Sequence, residues 1–85
     1  MNVKQVLSMM YSESYFCIFD DDQTTIVFAG KVYDYLKSGT PYDDWAVIDI
    51  EPCHTKDFGK DHTIIAPLGD HSMIMINCYN AKEDI

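Results

Sequence analysis

The side chains best suited to catalysis in this chain belong to three cysteines and three histidines. Cys53 and His54 are adjacent, and a thiol beside an imidazole is the pair that nucleophilic catalysis requires. Side chains of adjacent residues on an extended chain point to opposite sides, and no third group that would orient the histidine is identifiable. The zinc-binding spacings C-x2-C and H-x3-H are also missing. We therefore predict no catalytic residue, no metal ligand and no cofactor.

A second candidate for chemistry is the acidic run Asp20, Asp21 and Asp22, because hard cations bind several carboxylate oxygens. A calcium-binding EF-hand loop that begins at Asp20 requires Gly at its sixth position and Glu at its twelfth. Thr25 and Lys31 occupy these positions instead. The run is better explained as a solvated turn whose Asp side chains hydrogen-bond to their own backbone.

The charge of the whole chain restricts its function more than any motif does. Fourteen acidic residues face six basic ones, which gives a net charge of -8, and all the basic residues are lysines. Affinity for nucleic acid depends on cationic side chains, and enzymes that act on phosphates or carboxylates commonly use the planar guanidinium of Arg. The sequence therefore disfavours direct nucleic-acid binding and enzymatic activity and favours a basic partner.

The acids lie beside aromatic residues in two short segments, 33–35 and 42–45. Aromatic rings are enriched at protein-binding hot spots, and neighbouring carboxylates can pair with Lys or Arg on a partner. We expect Tyr35 and Trp45 to belong to the core. Tyr33 and Tyr42 fit either the core or a binding surface.

The spacing of the acids suggests how such a surface could act. Residues two apart in a strand share a face and lie roughly 6.5 Å apart, so Asp20 with Asp22 and Asp49 with Glu51 could each present a carboxylate pair. Such pairs on a rigid sheet can imitate a phosphate backbone and occupy a basic nucleic-acid groove. The predicted partner-binding residues are Asp20, Asp21, Asp22, Tyr33, Asp34, Tyr42, Asp43, Asp44, Asp49 and Glu51.

The first half of the chain must position most of these residues. Apolar residues at Val3, Val6, Leu7 and Met10 predict a short helix, which Asn2 could cap. Segments 15–19 and 24–28 are rich in β-branched and aromatic residues and predict a hairpin with the acidic run at its turn. We expect the second strand to break at 29–30 and a second short helix to follow over 32–36, ending at 38–39.

The second half predicts mainly strands. A third strand over 45–51 should stop at Pro52, and 51–61 should form a loop. Segments 62–66 and 72–79 predict a second hairpin, followed by a frayed tail over 80–85. The predicted fold is a single α+β domain with one mostly antiparallel sheet of about five strands and both helices on one face. A partly closed barrel is the alternative arrangement.

Cysteine number and hydropathy indicate the compartment. Three cysteines are an odd number for a disulfide-stabilised secreted domain. The first ten residues contain no continuous apolar run that would resemble a signal peptide or a membrane span. We therefore expect reduced thiols, a cytoplasmic location and no membrane association.

Residues 3–52 also resemble a known group of proteins. The amphipathic start at Val3, Val6 and Leu7, the acidic hairpin turn, and segments 30–36 and 45–52 are similar to small acidic proteins of phages and mobile elements of Gram-positive bacteria. Members of that group with known roles are host-takeover or anti-defence factors, including anti-CRISPR inhibitors. No catalytic motif defines the group, so the resemblance assigns no role to a particular residue.

Together these features predict a non-enzymatic, phage-encoded inhibitor that acts in the host cytoplasm. It would occupy the nucleic-acid-binding surface of a basic host protein such as a CRISPR nuclease. The alternative is a structural or regulatory module that forms a homodimer by edge-to-edge pairing of 72–79. A small cysteine or metal enzyme is a remote alternative, and it requires Cys53, His54 or His62 to converge with an acid in a pocket.

Overall fold

A computed structural model of the chain describes residues 1–59 and 62–81. The described residues form an α+β fold with two helices and one four-stranded sheet, which confirms the predicted class with one strand fewer than expected. The sheet order is β2-β1-β4-β3, and the sheet is open. In chain order the elements are α1 (Val3–Leu7), β1 (Tyr15–Asp20), β2 (Thr25–Lys31), α2 (Val32–Lys37), β3 (Ala46–His54) and β4 (Ser72–Tyr79).

The first half of the chain folds largely as its sequence indicates. Asn2 caps α1 by accepting the backbone N–H of Gln5, whose side chain accepts the N–H of Asn2 in return. β1 and β2 form the predicted antiparallel hairpin, although β2 continues through the predicted break at Gly30. α2 begins directly where β2 ends, and Ser38 is its C-cap.

The last strand, β4, is central rather than part of a second hairpin. It pairs in parallel with β1 on one side and antiparallel with β3 on the other. Ile76 and Cys78 are buried beneath the helices, while Met73 is buried on the opposite side, so both faces of β4 need apolar residues. Because both edges of β4 are already paired, the predicted homodimer through 72–79 has no free edge to use.

Segment 62–66 was predicted as a strand and is instead a turn that leads into a 3-10 helix, Ala66–Leu68. The chain curls back on itself here, since the N–H of Ala66 donates to the carbonyl of His62 at 2.8 Å. Only Ile65 is fully buried, whereas Ile64 lies outward. Because only Ile65 of this apolar run packs into the core, the segment forms a turn that is anchored by one side chain and does not form a strand.

β3 is longer than predicted and contains residues assigned to a loop. It continues through Pro52 to His54 and is followed by a 3-10 helix, Thr55–Asp57. Proline is tolerated because β3 lies at an edge of the sheet, where a missing N–H does not interrupt the ladder. Of the predicted frayed tail, 82–85 lies outside the described residues.

The sheet has two faces that are covered differently. The helix face packs against α1 and α2 and contains most of the buried residues, namely Val3, Val6, Leu7, Phe16, Ile18, Val32, Tyr35, Ile76 and Cys78. The opposite side, here called the far face, is covered by the described residues of the irregular segment 55–71, whose Ile65 packs with Cys17, Ile26 and Met73. Both helices therefore lie on one face, as predicted.

No helix in the described part of the chain is both long enough and apolar enough to cross a membrane.

Candidate protein-binding surface

Two of the predicted acids lie together on the far face of β3. Asp49 and Glu51 are separated by one residue, and opposite them on β4 lie Asn77 and Met75. The side-chain amide of Asn77 donates to Asp49 Oδ1 and, at 3.3 Å, to Glu51 Oε1. One neutral amide thus connects two exposed carboxylates and holds like charges side by side.

The three aspartates of the β1–β2 turn have different roles. Asp20 is buried, and its Oδ1 accepts the backbone N–H of Asp22 at 3.0 Å and that of Gln23 at 3.4 Å. This is the expected turn in which Asp bonds its own backbone, and it makes Asp20 a structural residue. Asp21 and Asp22 remain exposed at the end of the hairpin.

The register of the sheet places the turn and the β3 acids toward the same end of the molecule. Asp20 lies opposite Cys78, which in turn lies opposite Val47 near the start of β3. Asp49 lies one row further along, opposite Asn77. Strands are roughly 4.8 Å apart, so the two acidic groups are separated by about two strand widths. The parallel pairing of β1 with β4 creates this arrangement, and no local sequence pattern reveals it.

The aromatic segments 33–35 and 42–45 contribute less open surface than predicted. Tyr35 is fully buried; its hydroxyl donates to Asp43 at 2.9 Å and accepts the N–H of Tyr42 at 3.0 Å. Burial and the hydrogen bond to Asp43 raise the pKa of Tyr35. Tyr42 is half-buried and packs edge-on against Trp45. Tyr42 and Asp43 therefore contribute to the packing around Tyr35.

The remaining predicted residues of these segments are exposed. Tyr33 is 46% exposed, and the ammonium of Lys37 lies 4.3 Å from the centre of its ring. Asp34 is exposed on the first turn of α2, and Asp44 is exposed in the loop before β3, where it takes part in an interaction of its own. Tyr33 and Asp34 lie on α2 and are therefore on the opposite side of the sheet from Asp49 and Glu51.

Lysine side chains form ion pairs with Glu13 and Asp70. Lys31 Nζ lies 2.9 Å from Glu13, and Lys56 Nζ lies 3.9 Å from Asp70. Within residues 1–59 and 62–81, neither of these ion pairs involves Asp21, Asp22, Asp49 or Glu51. Their negative charge is directed to solvent.

The cysteines and histidines do not assemble a reactive centre in the described residues. Cys17 and Cys78 are buried, and burial raises the pKa of both thiols, to about 12 for Cys78. The Cys53 thiol contacts the Cys17 thiol. Nδ1 of the adjacent His54 instead accepts the N–H of Lys56 at 3.0 Å. No cluster of three potential metal ligands occurs in the described ranges.

The sequence did not predict that Asn77 contributes to this surface by binding Asp49 and Glu51. The only sign of it in the sequence is a polar amide within the otherwise apolar run 73–78. Such a residue indicates an exposed position on a strand, but its partners come from β3, 26 and 28 residues away along the chain.

Comparison of the chain with protein-family models, curated proteins and solved structures finds no match.

Proposed function

We propose that this chain is a non-enzymatic binding protein that places its acidic far-face surface on the nucleic-acid-binding groove of a basic protein. The acidic far-face surface is here defined as Asp49 and Glu51 on that face together with Asp21 and Asp22 of the β1–β2 turn, which lie toward the same end of the sheet. The carboxylate pair held by Asn77 is the observation that carries the proposal, because it presents two fixed negative charges that no lysine in the described residues neutralises.

Electrostatic complementarity favours binding of this surface to a basic groove. A groove that binds nucleic acid is lined with Lys and Arg, and its affinity for phosphates comes from those charges. Carboxylates fixed on a sheet can occupy the same positions without requiring a flexible loop to become ordered first. The net charge of -8 on 85 residues additionally favours rapid encounter with a positively charged surface.

The resemblance to phage and mobile-element proteins suggests which partner to test first. An RNA-guided CRISPR nuclease has a basic groove for nucleic acid, and inhibition of it inside a host cell would suit an anti-defence factor. The proposed action is competition: the chain occupies the groove, and target DNA is excluded.

The test is a titration of a purified RNA-guided nuclease with the chain, at low and at high salt, with labelled target DNA as competitor. We expect binding that weakens as salt rises and that displaces the DNA. Asp49→Asn and Glu51→Gln should each weaken binding by about tenfold, since coupling between close charge pairs at such interfaces reaches about 1.5 kcal/mol or more.

Asp70→Asn is the matched control, because Asp70 is an exposed acid on the segment 55–71 and carries the same charge. It should change binding by less than about twofold. Equal losses for Asp49→Asn and Asp70→Asn would show that only net charge matters and would contradict the proposed surface. Absence of nuclease binding at low salt would contradict the choice of partner.

A further inference from the structure

The sheet has two edges, and the β3 edge is protected at several positions. At its start the N–H of Val47 donates to the carbonyl of Met1 at 2.9 Å, so the N-terminal residues cover this part of the strand. Pro52 has no N–H, and the N–H of His54 is bound by the side chain of Asp57 at 2.8 Å. Capping and proline are common ways of preventing pairing with another chain.

The β2 edge has none of these protections. The strand Thr25–Lys31 contains no proline and, before Lys31, no charged residue. Within the described residues, no backbone hydrogen bond reaches β2 from any segment other than β1. β2 is therefore an open edge of seven residues, roughly 23 Å long, with a bulge at Val27 and regular pairing from Phe28 to Lys31.

The register shows which peptide groups are available. The N–H of Val32 donates to the carbonyl of Ser14 at 3.0 Å, one position beyond the pair Tyr15 and Lys31. Hydrogen-bonded and non-hydrogen-bonded pairs alternate in an antiparallel ladder. The N–H and C=O of Ala29 and the N–H of Lys31 therefore point away from β1, toward a strand that is not present.

The charges at the two ends of this edge indicate what the missing strand is. Asp21 and Asp22 lie in the turn directly before β2. At the other end, Glu13 binds Lys31, and the carboxylate of Asp34 lies beside Gly30. The edge is thus an uncharged ladder between two acidic ends, which fits an extended segment with β-prone residues at its centre and Lys or Arg at both ends.

A second copy of this chain fits poorly. Pairing β2 with β2 would bring carboxylates close together in either orientation, because Asp21 and Asp22 lie at one end and Lys31 at the other end is already paired with Glu13. Like charges directly opposite each other on paired strands are destabilising, and two chains of net charge -8 repel at longer range.

We propose that an extended basic segment of the partner adds to β2 as a fifth strand of the sheet. This inference rests on the proposed function, because it takes the partner to be a basic protein. Main-chain hydrogen bonds to Ala29 and Lys31 hold the segment, and its terminal cations pair with the acids at the two ends of the edge. The Asp49 and Glu51 pair and the β2 edge are then two contacts with one partner, and Asp21 and Asp22 contribute to both.

The probe is a capped nine-residue peptide with alternating Thr and Val at its centre and two Lys at each end. Its control is a peptide of the same sequence whose central amides are N-methylated, which keeps the charge and removes the hydrogen-bond donors. At saturation the first peptide should slow hydrogen exchange at Ala29 and Lys31 by at least about tenfold, and the control should not.

Three outcomes of this measurement would overturn the inference. One is unchanged exchange at Ala29 and Lys31, and another is equal protection by the N-methylated peptide. The third is protection of β2 without peptide in a chain that light scattering shows to be a dimer, which would identify a second copy as the occupant.

A variant pair extends the test to the protein partner. Ala29→Pro removes an outward N–H, whereas Ile50→Pro removes one from the β3 edge. We expect Ala29→Pro to weaken peptide binding by about three- to tenfold and Ile50→Pro to leave it unchanged, with circular dichroism confirming that both fold. If either variant is unfolded, the hydrogen-exchange measurement on the unaltered chain still tests strand addition.

The two proposals fail in different ways. If the nuclease binds Ala29→Pro as tightly as the unaltered chain while Asp49→Asn weakens its binding, strand addition is wrong and the proposed function stands. If no basic protein binds but the peptide still protects Ala29 and Lys31, the proposed function is wrong and the edge remains a binding site for extended basic segments.

Discussion

The two faces of the sheet are buried by different kinds of structure. On the helix face, α1 and α2 cover a cluster in which the rings of Phe16, Phe28 and Tyr35 lie 5.3 to 5.8 Å apart. On the far face, the irregular segment 55–71 supplies one fully buried apolar side chain, Ile65, with Phe58 and Leu68 only partly buried. The helix face is thus held by many regular contacts and the far face by few.

This difference explains where a binding surface can exist. Segment 55–71 covers Cys17 and Met73, whereas Asp49 and Glu51 at the β3 side of the same face remain exposed. Helices that covered the whole face would have buried these carboxylates at a large desolvation cost. The incomplete cover of the far face is therefore what allows it to carry charge.

The largest expected effect comes from the helix face. Phe16→Ala should lower the free energy of unfolding by about 3–5 kcal/mol, because it removes a fully buried ring that contacts both other aromatic rings. Urea unfolding followed by circular dichroism measures this loss. Tyr33→Ala, at an exposed position, should change stability by no more than about 0.5 kcal/mol. Similar losses for the two variants would show that the aromatic cluster does not hold this face.

On the far face, Ile65→Ala should cost somewhat less, about 2–4 kcal/mol, and its effect should be local. Ile65 is 1% exposed and anchors the covering segment over Cys17 and Met73. Hydrogen exchange should accelerate across 55–71 and change little in α1 and α2. The neighbouring Ile64→Ala, at 36% exposure, is the control. Equal acceleration in the helices would mean that both faces unfold as one unit.

Alkaline pH should destabilise both faces. Cys78 on the helix face and Cys17 on the far face are buried thiols with raised pKa values, and Tyr35 changes in the same direction. The folded chain binds these protons more tightly than the unfolded chain does. Each protonated group therefore contributes its full stabilisation below its pKa in the unfolded chain, and this contribution is lost as pH rises through its pKa in the folded chain. For Cys78 this window extends from 9.0 to about 12.

Urea unfolding at about pH 8 and about pH 10.5 measures this dependence. We expect a lower free energy of unfolding at the higher pH, and a smaller decrease in Cys78→Ala than in the unaltered chain. A constant free energy between the two pH values would show that the thiols are not buried in the folded state.

The smallest expected effect is at the uncovered part of the far face. Asn77→Ala removes both hydrogen bonds to Asp49 and Glu51 and should cost about 0.5–1.5 kcal/mol. The loss should be larger at low salt, because the two carboxylates then repel without screening. Ser72→Ala, exposed on the same strand, is the control. A loss that does not depend on salt would argue against the amide as the group that holds the two charges together.

The sequence predicted the elements whose determinants lie within a few residues. Val3, Val6 and Leu7 have helical spacing and Asn2 the side chain of a cap, so α1 is specified locally. The β1–β2 hairpin follows equally from two β-prone runs around an acidic turn. The run 62–66 was misassigned because an apolar tripeptide has no period that distinguishes a strand from an anchored turn.

The candidate surface was predictable only in part. Asp49 and Glu51 share a face by strand periodicity alone, and that prediction is confirmed by their common contact with Asn77. The structural roles of Asp20, Tyr42 and Asp43 were not predicted. Asp20 accepts a backbone hydrogen bond within its own turn, and Tyr42 and Asp43 are hydrogen-bonded to the hydroxyl of Tyr35. Side-chain partners brought from distant segments cannot be inferred from residue type.

By itself the sequence determined the acidic charge, the absence of arginine, the two short helices and the first hairpin, since each depends on composition or on neighbours along the chain. The tertiary structure alone decided that β4 enters between β1 and β3, because that position depends on burying both faces of one strand at once. The same placement brings Asn77 to Asp49 and Glu51, and it makes β2 and β3 the two edges of the sheet. Long-range pairing of this kind is selected by the packing of the whole core, and local preference does not encode it.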